Sequence, residues 1–386
     1  MYNFDAITDR RGTGALKWDF AKERGRPEGL LPLWVADMDF RLPDEIVDDL
    51  QAAVRHGIYG YTEPLAHYYA AVQDWFGTRH AFTPAKEEIF PSPGVVFSLA
   101  MCVKAFTQSG EGVLIQPPVY YPFFEVIRDN GRRIEENNLL CADGRYTIDF
   151  ADFEERCAKP DVKLFLLCSP HNPVGRVWER WELERLHDIA AAHDVKVIAD
   201  EIHCDFVFPP HVHTSYRRID EKAIVCTAPT KTFNMAGLQI SNCFVPDPLD
   251  RSLLKKATDA AGYSQLGTLG YVGCEAAYRK GVPWLEELKT YLSDNLSFIQ
   301  AYLADTAPKI KVVQPEGTYL LWMDFNAFGL ADRELCRIVQ EKAHLWLDRG
   351  SMFGKAGNGY QRLNFACPRR ILAQALEQLS GAFFDM

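Results

Sequence analysis

Five short apolar segments of this chain are each followed at once by residues able to do chemistry. Lys231, in TAPTKTFNMAG, comes directly after the uncharged run 223–228 (AIVCTA). A lysine in an apolar pocket loses part of its preference for charge and becomes a usable amine nucleophile. A lysine at a strand end can instead reach out to water, and this stretch alone leaves both readings open. After residues 88–90 comes PSPG, followed by apolar residues at helical spacing from Val95 and Val96 to Phe106. A glycine opening a helix presents free N–H groups and a positive dipole end, suited to a phosphate. After residues 113–116 comes PPVYYPFF, which puts Tyr120 and Tyr121 at a strand mouth, to stack on a planar ring or simply to pack. After residues 163–168 (KLFLLC) comes SPHNPVG, with Asn172 in a rigid loop as an amide donor or as part of a common Asn-Pro turn. After residues 195–199 comes DEIH. Two acids at the end of a buried strand are costly unless paired or functional; Asp200 points to the mouth, and His203 follows three residues later.

The elements that must position these groups are legible in the same stretch. Between about residues 85 and 245, strand-like and helix-like segments alternate, which predicts an α/β domain with a largely parallel sheet. Ligands of such sheets bind beyond the carboxyl ends of the strands, so the five groups converge. Phosphate donors, an aromatic, an amide, a carboxylate and an amine are the set that pyridoxal phosphate needs. Lysine makes a Schiff base, a carboxylate keeps the pyridine nitrogen protonated, and an amide bonds the phenolic oxygen.

Bulk properties set the outer bounds. A chain of 386 residues predicts one large and one smaller domain. Its 42 basic and 52 acidic side chains give a net charge of −10, against nucleic-acid binding, which shows a basic face. The N-terminus MYNFDAITDRRGTG carries charges where a signal peptide would have its apolar core, and no run approaches a membrane span. Ten cysteines without a CxxC pair, several in apolar runs, fit reduced core residues and a cytoplasmic setting. His203, Cys204, His211 and His213 cluster, but FVFPPHVHTSYRR reads as a solvent-exposed loop with two prolines rather than a zinc site. No metal is expected.

SPHNPVG, ADEIHCDF and APTKTFNMAGLQ together resemble fold-type I pyridoxal-phosphate enzymes of the aminotransferase class I/II superfamily. More narrowly, KWD, LPLWVADMDF, HGIYGYT, SPGVV, QPPVYYPF, GTYLLWMDF and RLNFACP resemble the MalY/PatB group of cystathionine β-lyase-like C–S lyases, from about residue 17 to 368. The resemblance implies a large domain with a mostly parallel sheet over 46–285, a smaller α+β domain over 286–386, and an N-terminal segment, 1–45, packing with the latter. It implies that Lys231 carries the cofactor, Asp200 pairs with the pyridinium nitrogen, Asn172 bonds the phenolic oxygen and Tyr120 stacks on the ring. Val95 and Val96 would hold the phosphate through their N–H groups, and Tyr61 would reach the phosphate of the other subunit of a homodimer. Arg362 would clamp the substrate carboxylate, with Ala36 and Asn172 also at the substrate. Arg362 alternates with Leu363 and Phe365, so it is expected to face away from their buried side.

Two departures from the wider superfamily bear on the reaction. Many aminotransferases have a tyrosine where this chain has His203, and a phosphate-binding arginine where it has Gln239; Thr230 and Tyr61 are the expected substitutes at the phosphate. Both fit β-elimination from L-cystathionine or a related S-substituted L-cysteine, giving thiol, pyruvate and ammonia. An aminotransferase on the same scaffold, which needs a keto-acid acceptor, and a regulatory protein-binding role are the alternatives left open.

Overall fold

The structure is a computed structural model and describes residues 1–384 and 386. Its centre is a seven-stranded sheet. In spatial order the strands are Ile89–Ser92, Ser241–Phe244, Ile224–Thr227, Lys196–Asp200, Val162–Cys168, Gly112–Ile115 and Arg133–Glu136. The last five run parallel, whereas Ser241–Phe244 is antiparallel to both neighbours. A strand covered on both faces is a continuous apolar run rather than an alternating one. Val162–Cys168 (VKLFLLC) is such a run, buried everywhere except Lys163. Its alternate residues feed two separate cores, Leu164 and Leu166 on one side of the sheet and Phe165 and Leu167 on the other. The strand expected over 195–199 is shifted by one residue. Asp200 is drawn into the ladder, where it registers with Cys168 and Cys226.

The helix Val95–Phe106 covers one face, burying Val95, Leu99, Cys102 and Val103. Beyond residue 281 the 25-residue helix Val282–Thr306 leads to a four-stranded antiparallel sheet. Its order is Lys311–Val312, Leu320–Asp324, Tyr360–Asn364 and Asp348–Arg349, and the helix Arg369–Phe383 closes it against the long helix. Among the described residues no helix is long and apolar enough to cross a membrane.

Residues 31–40 form a strap between the two sheets. Leu31–Pro32 pairs parallel with Leu345–Trp346. The buried Asn364 donates through Nδ2 to the carbonyls of Val35 (2.7 Å) and Asp37 (2.8 Å). On the other flank Asn234 donates through Nδ2 to Met38 (3.0 Å) and Phe40 (2.9 Å), and its Oδ1 accepts from the Met38 N–H (2.9 Å). Behind the strap lies the KWD motif. Lys17 is fully buried and donates to Asp39 (2.7 Å), and the Trp18 indole N–H donates to the same carboxylate (3.3 Å). A lysine taken out of water requires such a partner.

A second buried charge cluster ties the large sheet's loops to the small sheet. Arg176 donates to Glu316 (2.8 Å), to Glu182 (2.7 Å) and to the Tyr146 carbonyl, and all three charged residues are buried. Replacing Arg176 by leucine strands two carboxylates, at a cost of about 3–5 kcal/mol. Equilibrium urea unfolding of Arg176→Leu should show that loss; one below about 1 kcal/mol would mean that the cluster is no stronger than a surface pair.

Candidate active site

The five strand ends open on one cavity of about 210 Å³, walled by Gly94, Val95, Val96, Tyr120, Asn172, Asp200, His203, Thr230, Lys231 and Ala36. Every residue expected at the cofactor or substrate lines it except two, Arg362 and Tyr61.

Lys231 sits on the short helix Pro229–Thr232, whose first turn begins with proline. A fixed φ and no N–H to satisfy make proline suitable there. The lysine keeps some exposure through the cavity, and its Nζ donates to the Ala36 carbonyl at 2.6 Å. Burial pulls the amine down to about 8, opposed by Asp37 and reinforced by Arg362. Asp200, the last residue of its strand, is 4% exposed and accepts from the Ile202 N–H at 3.1 Å. Burial pushes its carboxyl up to about 7. A carboxylate this dry is a receptor for a cation, whose arrival restores its charge.

The helix Val95–Phe106 begins at the same cavity after Gly94, and its first N–H groups have no intrahelical acceptors. His203 also lines the cavity. Burial pushes its imidazole down to about 3, with Lys231 and Arg362 adding to the shift, so the ring is neutral across ordinary pH. Among the described residues its buried Nδ1 has no hydrogen-bond partner. Tyr120 is also enclosed, and burial raises its phenol.

Arg362 turns to Asn172 at the site, and it is enclosed there, since every residue of Tyr360–Asn364 is buried. Residues on both faces of this strand are covered, and the strap lies over Arg362 and Asn364, which donate to the Trp34 and Val35 carbonyls. Arg362 donates through Nη1 to Asn172 Oδ1 (3.0 Å), through Nη2 to the Trp34 carbonyl (2.8 Å), and to Asp348. Phe353 lies 4.9 Å from its guanidinium carbon, and its buried Nε has no partner. A buried guanidinium with an open donor, beside the amide of Asn172, suits a carboxylate ligand.

Asp348 was not anticipated, although LWLDRG carries the same signal that marked Asp200, an acid ending an apolar run. Also missed were Tyr319, whose hydroxyl donates to the Ala36 carbonyl (3.3 Å), and the Trp34–Trp346 stack (centroids 4.6 Å apart, planes at 9°). Aromatic residues in apolar runs give no sequence signal that separates a site wall from a core.

Tyr61 is 94% exposed and is not part of the cavity of its own chain; Ile58 and Tyr59 beside it are exposed too. The loop of FVFPPHVHTSYRR is a partial correction. His213 is not solvent-exposed but turns inward to Glu201 (3.2 Å), because that buried carboxylate takes its donors from His213 and the Tyr216 N–H (2.6 Å). Cys204 lies beneath it, 3.6 Å from His80 Nε2, while His203 faces the cavity.

The donor set fits pyridoxal phosphate. A dry carboxylate, an amine of lowered proton affinity, a helix start and an unpartnered imidazole nitrogen face one space.

Known proteins match this chain along its whole length. It is 42% identical to cystathionine beta-lyase PatB of Bacillus subtilis, over 98% of this chain and 99% of that one. Protein MalY of Escherichia coli is 32% identical, with 99% of each chain covered. The structure of cystalysin from Treponema denticola, which contains a pyridoxal 5'-phosphate cofactor, superposes with a TM-score of 0.96 at 37% identity, covering 100% of this chain and 99% of that one. The model of the family described as aminotransferase class I and II matches residues 32–379, and the chain belongs to that family.

Proposed function

We propose that this chain is a pyridoxal-phosphate-dependent carbon–sulfur β-lyase acting on L-cystathionine or a related S-substituted L-cysteine. The observation that carries the reading is the meeting of Lys231, Asp200 and Asn172 at one cavity, with the buried Arg362 bonded to Asn172. Relatives named for cystathionine cleavage support it over amino transfer.

Pyridoxal phosphate, when bound, supplies a ring that accepts electrons from the substrate Cα. Lys231 would hold it covalently, with Asp200 at the pyridine nitrogen, Asn172 at the phenolic oxygen and Tyr120 over the ring. His203, neutral and with Nδ1 open, is a further polar neighbour. Val95 and Val96 N–H groups and the Thr230 hydroxyl would hold the phosphate, with Tyr61 from a second subunit in place of the arginine that Gln239 replaces. The exposed ridge of Ile58, Tyr59 and Tyr61 supports that homodimeric arrangement. Residues 46–285 then form the cofactor-binding domain, 286–386 the small domain, and 1–45 the segment that packs with it. Ten unbridged cysteines, most of them buried, support a reducing, cytoplasmic setting.

Arg362 and Asn172 bind the substrate carboxylate, and the Ala36 carbonyl marks the limit of the substrate's room near Nζ. Lys231, as the neutral amine, takes the proton from Cα. Its ordinary value is 10.5, and burial brings it to about 8, so the neutral fraction rises as pH passes through 8. With the carboxylate held and the Cα proton removed, the Cβ–S bond breaks and the thiolate leaves. Addition of water to the remaining three-carbon unit gives pyruvate and ammonia.

Lys231→Ala should fold but lose turnover by about a thousandfold or more, and borohydride should no longer fix cofactor to the peptide that carries residue 231. Normal turnover in that variant would remove Lys231 from the reaction. With L-cystathionine and no added keto acid, thiol, pyruvate and ammonia should appear in equal amounts. A requirement for keto acid, with a new amino acid accumulating, would replace this reading with amino transfer. Mixing Tyr61→Ala with Lys231→Ala should restore part of the activity through hybrid dimers. A fully active monomer in sedimentation would contradict the shared site.

A further inference from the structure

The strap beside Lys231 carries a second carboxylate that the cofactor does not account for. Asp37 follows Ala36, the residue whose carbonyl receives Lys231 Nζ, and it lines the same opening of about 660 Å³ as Lys231 and Gln239. Arg10 grips it with both arms, Nη1 to Oδ1 at 2.6 Å and Nη2 to Oδ2 at 2.9 Å. The same guanidinium reaches Asp39 Oδ1 (3.0 Å) and the Met38 carbonyl (3.0 Å). Asp39 in turn holds the buried Lys17 (2.7 Å). Two carboxylates and two cations are thus interleaved immediately behind the backbone that touches the lysine.

We propose that Asp37, held in place by Arg10, is a positioning residue that sets the proton affinity of Lys231 Nζ. The proposal rests on the reading of Lys231 as the reacting amine. The charged groups whose field reaches Nζ come from three elements: Asp200 from the large sheet, Arg362 from the small sheet and Asp37 from the strap, with Arg10 paired to it. His203 is neutral there, and burial raises the phenols of Tyr120 and Tyr319, so none of these three adds charge. Asp37 and Asp200 are the two carboxylates that favour the cationic amine. Asp200 is committed to the cofactor ring on the reading above. Asp37 is therefore the acid left to oppose the burial and the Arg362 charge that drive Nζ towards neutrality. Arg10 moderates it, because a paired carboxylate projects a weaker field than a free one.

The two members of the pair must then act with opposite sign, whereas loosening of the strap would move both variants the same way. The readout is the visible absorbance of the Lys231–cofactor linkage in the holoenzyme, titrated against pH, with no turnover involved. Asp37→Asn removes a charge that favours protonated Nζ and should lower the midpoint by about half to one pH unit. Arg10→Met unmasks Asp37 and should raise it by a similar amount. Arg10→Lys keeps the charge while losing the fork, and should stay within about 0.3 unit of the parent. Shifts of one sign in Asp37→Asn and Arg10→Met, or an unmoved midpoint in Asp37→Asn, overturn the proposal. If Arg10→Met yields no soluble protein, Asp37→Asn decides alone, a lower midpoint supporting and an unchanged one refuting. Opposite shifts in a protein without lyase activity would sink the reaction assignment and leave this inference standing. A protein in which Lys231 forms no such linkage overturns both.

Discussion

The arginine and the lysine of the site belong to different sheets, and their spacing depends on a run of backbone hydrogen bonds along residues 31–40. Trp34 offers its carbonyl to Arg362, Ala36 offers its carbonyl to Lys231, and Val35 and Asp37 are held by Asn364. Asn234, three residues beyond the lysine, takes up Met38 and Phe40. Carbonyls at even and odd positions of this segment thus go to different partners, and the turn closed by the Asp37 N–H on the Val35 carbonyl (2.8 Å) bends the chain between them. An amide side chain can meet both a donor and an acceptor of such a backbone, which a hydroxyl or an ammonium does less well. Two asparagines, one from each flank, therefore do the joining.

Electrostatic compensation accounts for what stands behind the strap and around the cavity. The charges near the site have counterparts: Arg362 with Asp348 and Lys17 with Asp39 are buried pairs, and Arg10 with Asp37 is a half-buried one. Asp200 differs, since its direct contact is a backbone N–H and its carboxyl is pushed up to about 7. That asymmetry distinguishes groups that hold the architecture from a group that awaits a ligand's charge. Arg362 lies between these cases, paired with Asp348 yet retaining one buried donor without an acceptor. A substrate carboxylate at this position enters a field already half compensated. Recognition then depends on geometry and on Asn172 more than on raw attraction.

How far the sequence was readable follows from where each signal lies. The large sheet was legible because its strands are uninterrupted apolar runs, and the residues after them stood out as polar groups where apolar ones are the rule. Lys231, Asp200 and Asn172 were found that way. Arg362 was found only through resemblance. Alternation in RLNF separates the two sides of its strand but carries no information about burial there, because residues on both sides are covered. Asp39 and Lys17 were invisible for another reason. Their partnership spans 22 residues of irregular chain, and nothing local marks a lysine in KWD as one that never meets water. His213 was misread by composition, since prolines and histidines look like surface loop until the buried Glu201 is known to need a donor.

The register of the central ladder sets a limit on how this protein can change. Cys168, Asp200 and Cys226 lie in one row across three parallel strands, and alternate residues of those strands feed different cores. Inserting or deleting a single residue within Lys196–Asp200 would exchange the side chains given to the two cores and turn the carboxylate through the sheet to its other face. The connections lie outside that row and can change length without shifting it. Descendants of this chain can thus vary widely in their loops, but the five-residue strand that ends in Asp200 must be inherited at fixed length.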